Sequence, residues 1–158
     1  MYNILVTGAN GQLGSEIRAV APKYSNYNFI FTDVQELDIC NHNWVQQFIA
    51  ENNINAIINC AAYTAVDKAE EQFEVADKIN HMAVANFAQI AKENNIKLIH
   101  ISTDYVFDGK AHKPYTEKDM PNPQSVYGKT KLAGETAMQQ ISPANSIIIR
   151  TSWVYSSY

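Results

Sequence analysis

The chain has 158 residues, of which 46% are hydrophobic and 18% charged, and its formal net charge is −4. This composition is that of a globular protein and excludes a disordered or fibrous chain. The acidic balance gives no electrostatic footprint for nucleic acid, and no apolar run approaches the roughly 18 residues that span a bilayer. We therefore expect a cytoplasmic protein that binds neither nucleic acid nor membranes.

Predicted strands and helices alternate along the whole chain. Short apolar runs rich in β-branched residues predict strands at 4–6, 28–32, 56–60, 97–101 and 146–150. Helical patterns cover about 15–20, 43–53, 66–94 and a segment that begins near Ser125, and the spacing within 66–94 places Phe73 among the inward-facing residues. Connections of this length join parallel strands, so we expect an α/β fold with a doubly wound, Rossmann-like parallel sheet and helices on both faces, in one domain over residues 1–158.

Three glycines, Gly8, Gly11 and Gly14, follow the first predicted strand and open the first predicted helix. Glycine permits a tight turn and a close backbone approach, and a helix N-terminus presents free N–H groups to a pyrophosphate. The spacing is GxxGxxG rather than GxGxxG, but the strand–turn–helix context favours a dinucleotide site over a turn without a ligand. The intervening residues predicted to contact the cofactor are Asn10, Gln12 and Leu13.

An acidic residue, Asp33, ends the second predicted strand about twenty residues beyond the glycines. A carboxylate at this position accepts hydrogen bonds from the ribose hydroxyls of the adenosine and repels a 2′-phosphate, which favours NADH over NADPH. The alternative is a simple turn residue at a strand end, which the sequence favours less. Asp38 and Ile39 follow and are predicted to border the adenine.

A tyrosine and a lysine, Tyr127 and Lys131, lie four residues apart at the start of a predicted helix and therefore share one helical face. A fixed cation beside a phenol stabilises the phenolate and lowers the phenol's pKa from about 10. Because both residue types are common, the pair alone is also compatible with a solvated helix surface.

A hydroxyl residue, Thr103, follows the fourth predicted strand, at the sheet edge where open α/β sheets bind ligands. Small polar residues here also cap turns. A hydroxyl at this edge can, however, hydrogen-bond the oxygen of a carbonyl whose carbon receives a hydride. Together with the proton of Tyr127 and the charge of Lys131, Thr103 would complete a carbonyl-reduction site.

The glycine motif, Thr103 and the Tyr127/Lys131 pair together resemble the extended short-chain dehydrogenase/reductases. Within that superfamily, four longer stretches resemble the dTDP-4-dehydrorhamnose reductase family, whose members make dTDP-L-rhamnose for bacterial surface polysaccharides. These stretches are residues 59–70, 102–109, 127–135 and 150–155. The resemblance covers essentially the whole chain in order.

This resemblance implies NADPH- or NADH-dependent reduction of the 4-keto group of a sugar nucleotide, with Thr103, Tyr127 and Lys131 as the catalytic triad. Tyr127 would protonate the C4 oxygen and Lys131 would also hold the nicotinamide ribose. Asn80 would correspond to a structural asparagine of the family. The residues implied to line the central part of the cofactor are Ala61, Ala62 and Tyr63, and those implied to contact substrate are Thr103, Asp104, Tyr105 and Trp153.

Three alternatives remain at this level. A sugar-nucleotide dehydratase is disfavoured because Thr103-Asp104 is followed by Tyr105 and not by a second acidic residue. A 4-epimerase could use the same triad but usually lacks the run at 104–109. A non-catalytic dinucleotide-binding subunit, like the regulatory subunit of methionine adenosyltransferase, would not need the intact triad.

We also expect the chain to be the N-terminal part of a longer protein, with a C-terminal substrate-binding part and a possible homodimer in the full-length form. The chain reaches its last residues directly after a predicted strand.

Its two cysteines, Cys40 and Cys60, lie in unrelated segments and are expected to be reduced thiols. Its four histidines lack metal-ligand spacing, so no metal site is predicted.

Overall fold

The structure, a computed structural model, describes residues 1–157, which form a five-stranded parallel sheet with six α-helices. The strands are β1 (Tyr2–Thr7), β2 (Tyr27–Thr32), β3 (Ile54–Asn59), β4 (Lys97–Thr103) and β5 (Ser146–Thr151). The helices are α1 (Gln12–Val20), α2 (His42–Glu51), α3 (Val66–Ala69), α4 (Phe73–Asp77), α5 (Ala83–Asn94) and α6 (Val126–Ile141). The predicted doubly wound, Rossmann-like fold is confirmed.

The strand order is β2-β1-β3-β4-β5, and every neighbouring pair is parallel. From β1 the chain proceeds to one edge of the sheet, and from β3 it proceeds to the other. The connections therefore diverge between β1 and β3, which is the switch point at which open α/β sheets bind their ligands. The carboxyl ends of these two strands mark the expected position of a site.

Alternate residues of the central strands pack on opposite faces of the sheet, as the period of two requires. Leu5 of β1 belongs to the larger core cluster, in which Phe87 of α5 and Met138 of α6 are fully buried. Its neighbours Ile4 and Val6 belong to a smaller cluster on the face that Ile17 of α1 covers. The larger cluster fixes α5 and α6 against β3 and β4, the strands that lead to the cleft.

Two side chains from different parts of the chain define the beginning of α6. Ser125 is the N-cap, and its Oγ accepts a hydrogen bond from the backbone N–H of Gly128 at 3.1 Å. Glu70, from the turn between α3 and α4, accepts the N–H of Val126 at 2.8 Å. Because the first N–H groups of a helix have no partners within the helix, such caps stabilise its start. Tyr127 lies in this capped first turn.

The helix predicted over 66–94 is interrupted. After α3 ends, Gln72 adopts a non-helical conformation (φ −121°, ψ 43°) and a new helix begins at Phe73. The prediction that Phe73 faces inward is wrong, since its side chain is 53% exposed in the first turn of α4. A π-helical segment, Lys78–Met82, joins α4 to α5.

None of the helices within residues 1–157 is long and apolar enough to cross a membrane.

Candidate active site

A cleft of about 840 Å³ lies at the carboxyl edge of the sheet, between the glycine turn after β1 and the first turns of α6. This volume is in the range of small-molecule and cofactor pockets. Most residues that the sequence predicts as contacts lie in its lining: Gly8, Gly11, Gln12, Leu13, Gly14, Asp33, Asp38, Ile39, Ala61, Ala62, Thr103, Asp104, Tyr105, Tyr127, Lys131 and Trp153.

Two predicted cofactor contacts, Asn10 and Tyr63, are not among the residues that line the cleft. The backbone N–H of Asn10 donates to Asp33 Oδ2 at 3.0 Å, and the hydroxyl of Tyr63 donates to Gln72 Oε1 at 2.8 Å. Both residues therefore support the walls of the cleft through bonds within the chain.

The glycine turn is pressed against the end of β3. Gly8 has φ +64°, and a Cβ on it would lie 2.6 Å from the backbone nitrogen of Ala61. A Cβ on Gly14 would lie 2.5 Å from the carbonyl oxygen of Gly8. No side chain fits at either position, so the turn exposes backbone to the cleft. Gly11 caps α1 without a side-chain hydrogen bond, which leaves the first N–H groups of the helix available to a ligand.

Asp33 extends from the end of β2 into the same part of the cleft. Its Oδ2 accepts the N–H of Asn10 at 3.0 Å and its Oδ1 accepts the N–H of Val34 at 2.8 Å. The carboxylate thus fixes the glycine turn to the end of β2. Since an ionised carboxylate offers about four lone-pair sites, both oxygens retain capacity for a ligand.

Thr103 and Tyr127 meet on the opposite side of the cleft. Thr103 is the last residue of β4 and is 6% exposed, and a hydrogen bond between the two side chains favours the phenolate of Tyr127. Burial nevertheless raises the pKa of Tyr127, and Asp104 and Tyr105 raise it further. The prediction that Lys131 lowers the pKa of this phenol is wrong, because burial dominates and the Lys131 Nζ donates instead to the carbonyl oxygen of Ile101 in β4.

Lys131 is almost completely buried, with 1% of its surface exposed. Its Nζ donates to the carbonyl oxygen of Ile101 at 2.7 Å and lies 3.2 Å from His100 Nε2. Burial lowers the pKa of Lys131 from 10.5 to about 8, against the opposing effects of Glu135 and Cys60. A lysine in this setting changes its charge within reach of physiological pH.

Sequence reasoning missed a buried polar chain behind Lys131. His100 and Asn59 are 0% exposed, and Asn59 Nδ2 lies 3.1 Å from His100 Nδ1. Asn59 Oδ1 accepts from the hydroxyl of Thr7 at 2.8 Å and from the N–H of Ala61 at 3.2 Å. Burial first, and then the charge of Lys131, lower the pKa of His100 well below 6.5. The signal available in the sequence was a histidine and an asparagine inside otherwise apolar strand patterns.

Asn80 joins three segments around the cleft. Its side chain accepts the N–H of Tyr63 at 2.9 Å and donates to the carbonyl oxygen of Tyr63 at 3.0 Å and to Thr130 Oγ1 at 3.2 Å. Asn80 is 1% exposed and belongs to the π-helical segment. It therefore ties the chain after β3 to α6.

An ion pair anchors α6 to β5. Arg150 contacts both carboxylate oxygens of Glu135, the shortest distance being 2.6 Å, and its guanidinium lies 5.0 Å from the centre of the Phe107 ring. This pair raises the pKa of Arg150 and places a carboxylate one helical turn beyond Lys131.

Within residues 1–157, Cys40 and Cys60 are free thiols, and no three histidine, cysteine or acidic side chains gather in a way that could hold a metal ion.

The parallel sheet, the glycine turn at its switch point and a Tyr-x-x-x-Lys helix beside a strand-end threonine define a protein of the extended short-chain dehydrogenase/reductase class. Comparison with known proteins agrees with this class and narrows it. A family model described as "RmlD substrate binding domain" matches residues 2–158, so the chain belongs to that family.

Several of the similar proteins are dTDP-4-dehydrorhamnose reductases. The chain is 42% identical over 158 residues to the dTDP-4-dehydrorhamnose reductase of Aggregatibacter actinomycetemcomitans, an alignment that covers 100% of the chain and 53% of that protein. Its structure resembles that of a dTDP-4-dehydrorhamnose reductase from Clostridium acetobutylicum, with a TM-score of 0.93 and 51% identity over 99% of this chain and 55% of that chain. The Bacillus anthracis reductase in complex with NADP gives a TM-score of 0.93 and 39% identity over 100% of this chain and 56% of that chain.

These comparisons confirm the predicted family resemblance. The chain spans about half the length of each of these relatives.

Proposed function

We propose that the chain is the dinucleotide-binding half of an NAD(P)H-dependent reductase that converts dTDP-4-dehydro-L-rhamnose to dTDP-L-rhamnose. The observation that carries this proposal is the arrangement of Thr103, Tyr127 and Lys131 across a single cleft from the glycine turn. The names of the relatives, and the NADP in the Bacillus anthracis structure, support the choice of substrate and cofactor.

The residues of the cleft fit a dinucleotide. The glycine turn presents backbone where any Cβ would collide, and the uncapped start of α1 provides N–H groups for the pyrophosphate. In this proposal Asp33 holds the adenosine ribose, Ala61 and Ala62 border the centre of the cofactor, and Lys131 holds the nicotinamide ribose. When bound, the reduced cofactor supplies a hydride to the C4 carbon of the sugar.

The chain's own residues then handle the oxygen and the proton. The Thr103 hydroxyl orients the C4 oxygen, and Tyr127 donates its phenolic proton to that oxygen, so that hydride and proton together convert the ketone to an alcohol. The raised pKa of Tyr127 suits this role, because the phenol is protonated at neutral pH before the reaction. The proton of the phenol is afterwards restored from solvent.

The mouth of the cleft provides candidate substrate contacts. Asp104 and Tyr105 follow Thr103, and Trp153, which is 74% exposed, lies in the segment after β5. We assign these three residues to the sugar. The second half of the full-length protein, which the longer relatives possess, supplies the remaining nucleotide contacts and any homodimer interface in this proposal. The two free thiols suit a reducing compartment, so the proposed location is the cytoplasm.

The proposed function is tested with the full-length protein, dTDP-4-dehydro-L-rhamnose and either NADH or NADPH, with oxidation of the nicotinamide followed by absorbance. We expect substrate-dependent oxidation and formation of dTDP-L-rhamnose. Dinucleotide binding is measured separately by calorimetry. Binding of both dinucleotides without oxidation of either would contradict the proposal and indicate a non-catalytic binding subunit. dTDP-glucose serves as the control substrate, since its elimination of water would indicate a dehydratase instead.

A further inference from the structure

A chain of buried polar groups runs beneath the cleft from β1 to α6, through Thr7, Asn59, His100 and Lys131. Each of these side chains is at most 1% exposed. Each consecutive pair lies within hydrogen-bond distance, at 2.8, 3.1 and 3.2 Å in that order. Because these groups are buried, each bond in the chain needs one donor and one acceptor.

The orientation of the Asn59 amide is set by its other neighbours. One amide atom faces the backbone N–H of Ala61 at 3.2 Å, and a backbone N–H can only donate. That atom must be the oxygen, Oδ1, which also accepts from the hydroxyl of Thr7. The amide nitrogen therefore faces His100 Nδ1 and donates to it. His100 Nδ1 consequently carries no proton.

The position of the remaining proton follows from the neutral state of the ring. A neutral imidazole with a bare Nδ1 carries its proton on Nε2, and Nε2 points at Lys131 Nζ at 3.2 Å. An ammonium group has three N–H donors and no lone pair, so two donors would face each other. A neutral amine has a lone pair to accept the Nε2–H and still donates to the carbonyl oxygen of Ile101 at 2.7 Å.

We propose that His100 is a positioning residue that donates its Nε2–H to the neutral amine of Lys131 and so opposes protonation of this lysine. The inference rests on the proposed function only in giving Lys131 a part in the reduction. To accept a hydrogen bond from an ammonium at Lys131, His100 would need its proton on Nδ1 and the Asn59 amide reversed. The N–H of Ala61 then loses the oxygen that accepts it.

One charged group beside Lys131 acts in the opposite direction. Glu135, on the same helix, favours the ammonium form, although Arg150 of β5 pairs with the Glu135 carboxylate. Tyr127 lies one turn away on α6 and is protonated at neutral pH. The pKa of Lys131, about 8, agrees with an amine that gains and loses its proton near the working range.

The first test reads the tautomer directly and needs no turnover. Full-length protein with ¹⁵N-labelled histidine is studied by long-range ¹H–¹⁵N NMR, with the His100 ring assigned by through-bond correlation to its backbone. Above the pKa of Lys131 we expect the Nε2–H tautomer. A ring protonated at Nδ1, or at both nitrogens, would overturn the proposal.

The second test changes the protonation of Lys131 by substituting His100. In His100→Gln, the amide oxygen is free to accept from an ammonium, so Lys131 should retain its proton to higher pH. The alkaline limb of the kcat/KM profile should move upward by about one pH unit, which corresponds to a single hydrogen bond. His112→Gln, in an exposed position outside the cleft lining, is the matched control and should leave the limb in place. An unmoved limb in His100→Gln would count against the assignment.

The two experiments also separate this proposal from the proposed function. If the wild type shows no reductase activity, the proposed function fails and the NMR measurement still decides the His100 tautomer. If the wild type is active but the ring carries its proton on Nδ1, only the His100 assignment fails.

Discussion

The glycine-turn wall of the cleft is made of backbone, whereas the α6 wall opposite it is made of buried polar side chains. At Gly8 and Gly14, a single added carbon would lie within 2.6 Å of backbone atoms. On α6, Tyr127 and Lys131 are positioned by Thr103, His100 and the carbonyl oxygen of Ile101. One wall is therefore suited to hold a ligand by shape, and the other to move protons. Substitutions should separate binding from chemistry accordingly.

The largest expected effect is on the α6 wall. Tyr127→Phe removes the proton donor and little binding surface, so turnover should fall by about 10²–10⁴-fold, the usual contribution of a general acid. Dinucleotide affinity should change little. Steady-state kinetics and calorimetry on the full-length protein measure the two effects, and Tyr24→Phe, at an exposed position outside the cleft, is the control. Near-normal turnover in Tyr127→Phe would remove this residue from the mechanism.

The glycine wall should respond in the opposite manner, through binding and stability. Gly8 and Gly109 both have positive φ, but a Cβ on Gly109 meets no atom within 4 Å. Gly109→Ala should cost only the left-handed strain, about 1–2 kcal/mol. Gly8→Ala adds a collision with Ala61 and should cost about 3 kcal/mol or more, with weaker dinucleotide binding. Urea unfolding and calorimetry provide the measurements. Equal costs for the two variants would show that the close approach at Gly8 contributes nothing.

The buried lysine should make stability depend on pH. Its pKa in the folded state, about 8, is below the ordinary 10.5, so the unfolded chain binds the proton more tightly. The free energy of unfolding should therefore rise with pH between these values, by about 3 kcal/mol in total. Lys131→Met removes this titration, and the difference between wild type and variant in urea unfolding isolates it from the tyrosines. If the free energy of unfolding changed with pH to the same extent in both proteins, the assigned burial of Lys131 would be contradicted.

The smallest expected effect concerns cofactor choice at the glycine wall. Asp33→Asn removes the charge and keeps one of the two hydrogen bonds to Asn10 and Val34. Since the carboxylate would repel a 2′-phosphate, the ratio of NADPH to NADH affinity should rise about tenfold, which corresponds to roughly 1.4 kcal/mol. Glu36→Gln removes a neighbouring carboxylate whose Oε2 accepts the N–H of Asp33, and should change the ratio less. An unchanged ratio in Asp33→Asn would exclude Asp33 from cofactor selection.

The strands and the position of the cleft were predictable because they follow from local chemistry. The β-branched run before Gly8 and the strand ending at Thr103 place their carboxyl ends on one edge of a parallel sheet, and the helical spacing of Tyr127 and Lys131 puts both on one face. These features depend on periods of two and 3.6 residues, which a sequence displays directly.

The missed features depend on contacts between distant segments. His100, Asn59 and Thr7 come from three strands, and nothing in their sequence neighbourhoods shows that one row of side chains joins them to Lys131. The pKa shift of Tyr127 was predicted in the wrong direction. The sequence shows that Lys131 lies four residues after Tyr127, but it does not show that the Lys131 Nζ donates to the carbonyl oxygen of Ile101. Phe73 was misplaced because a helix was extended through the break at Gln72.

The two hydrogen bonds between the Asn80 side chain and the backbone of Tyr63 affect the entropy of ligand binding. One side chain engages both the N–H and the C=O of Tyr63, so a segment without regular secondary structure is ordered by a neighbouring helix. A loop that is already ordered loses little conformational freedom when a ligand arrives, and this loss is a principal cost of association. Asn80, which does not line the cleft, should therefore favour binding by holding this segment in place.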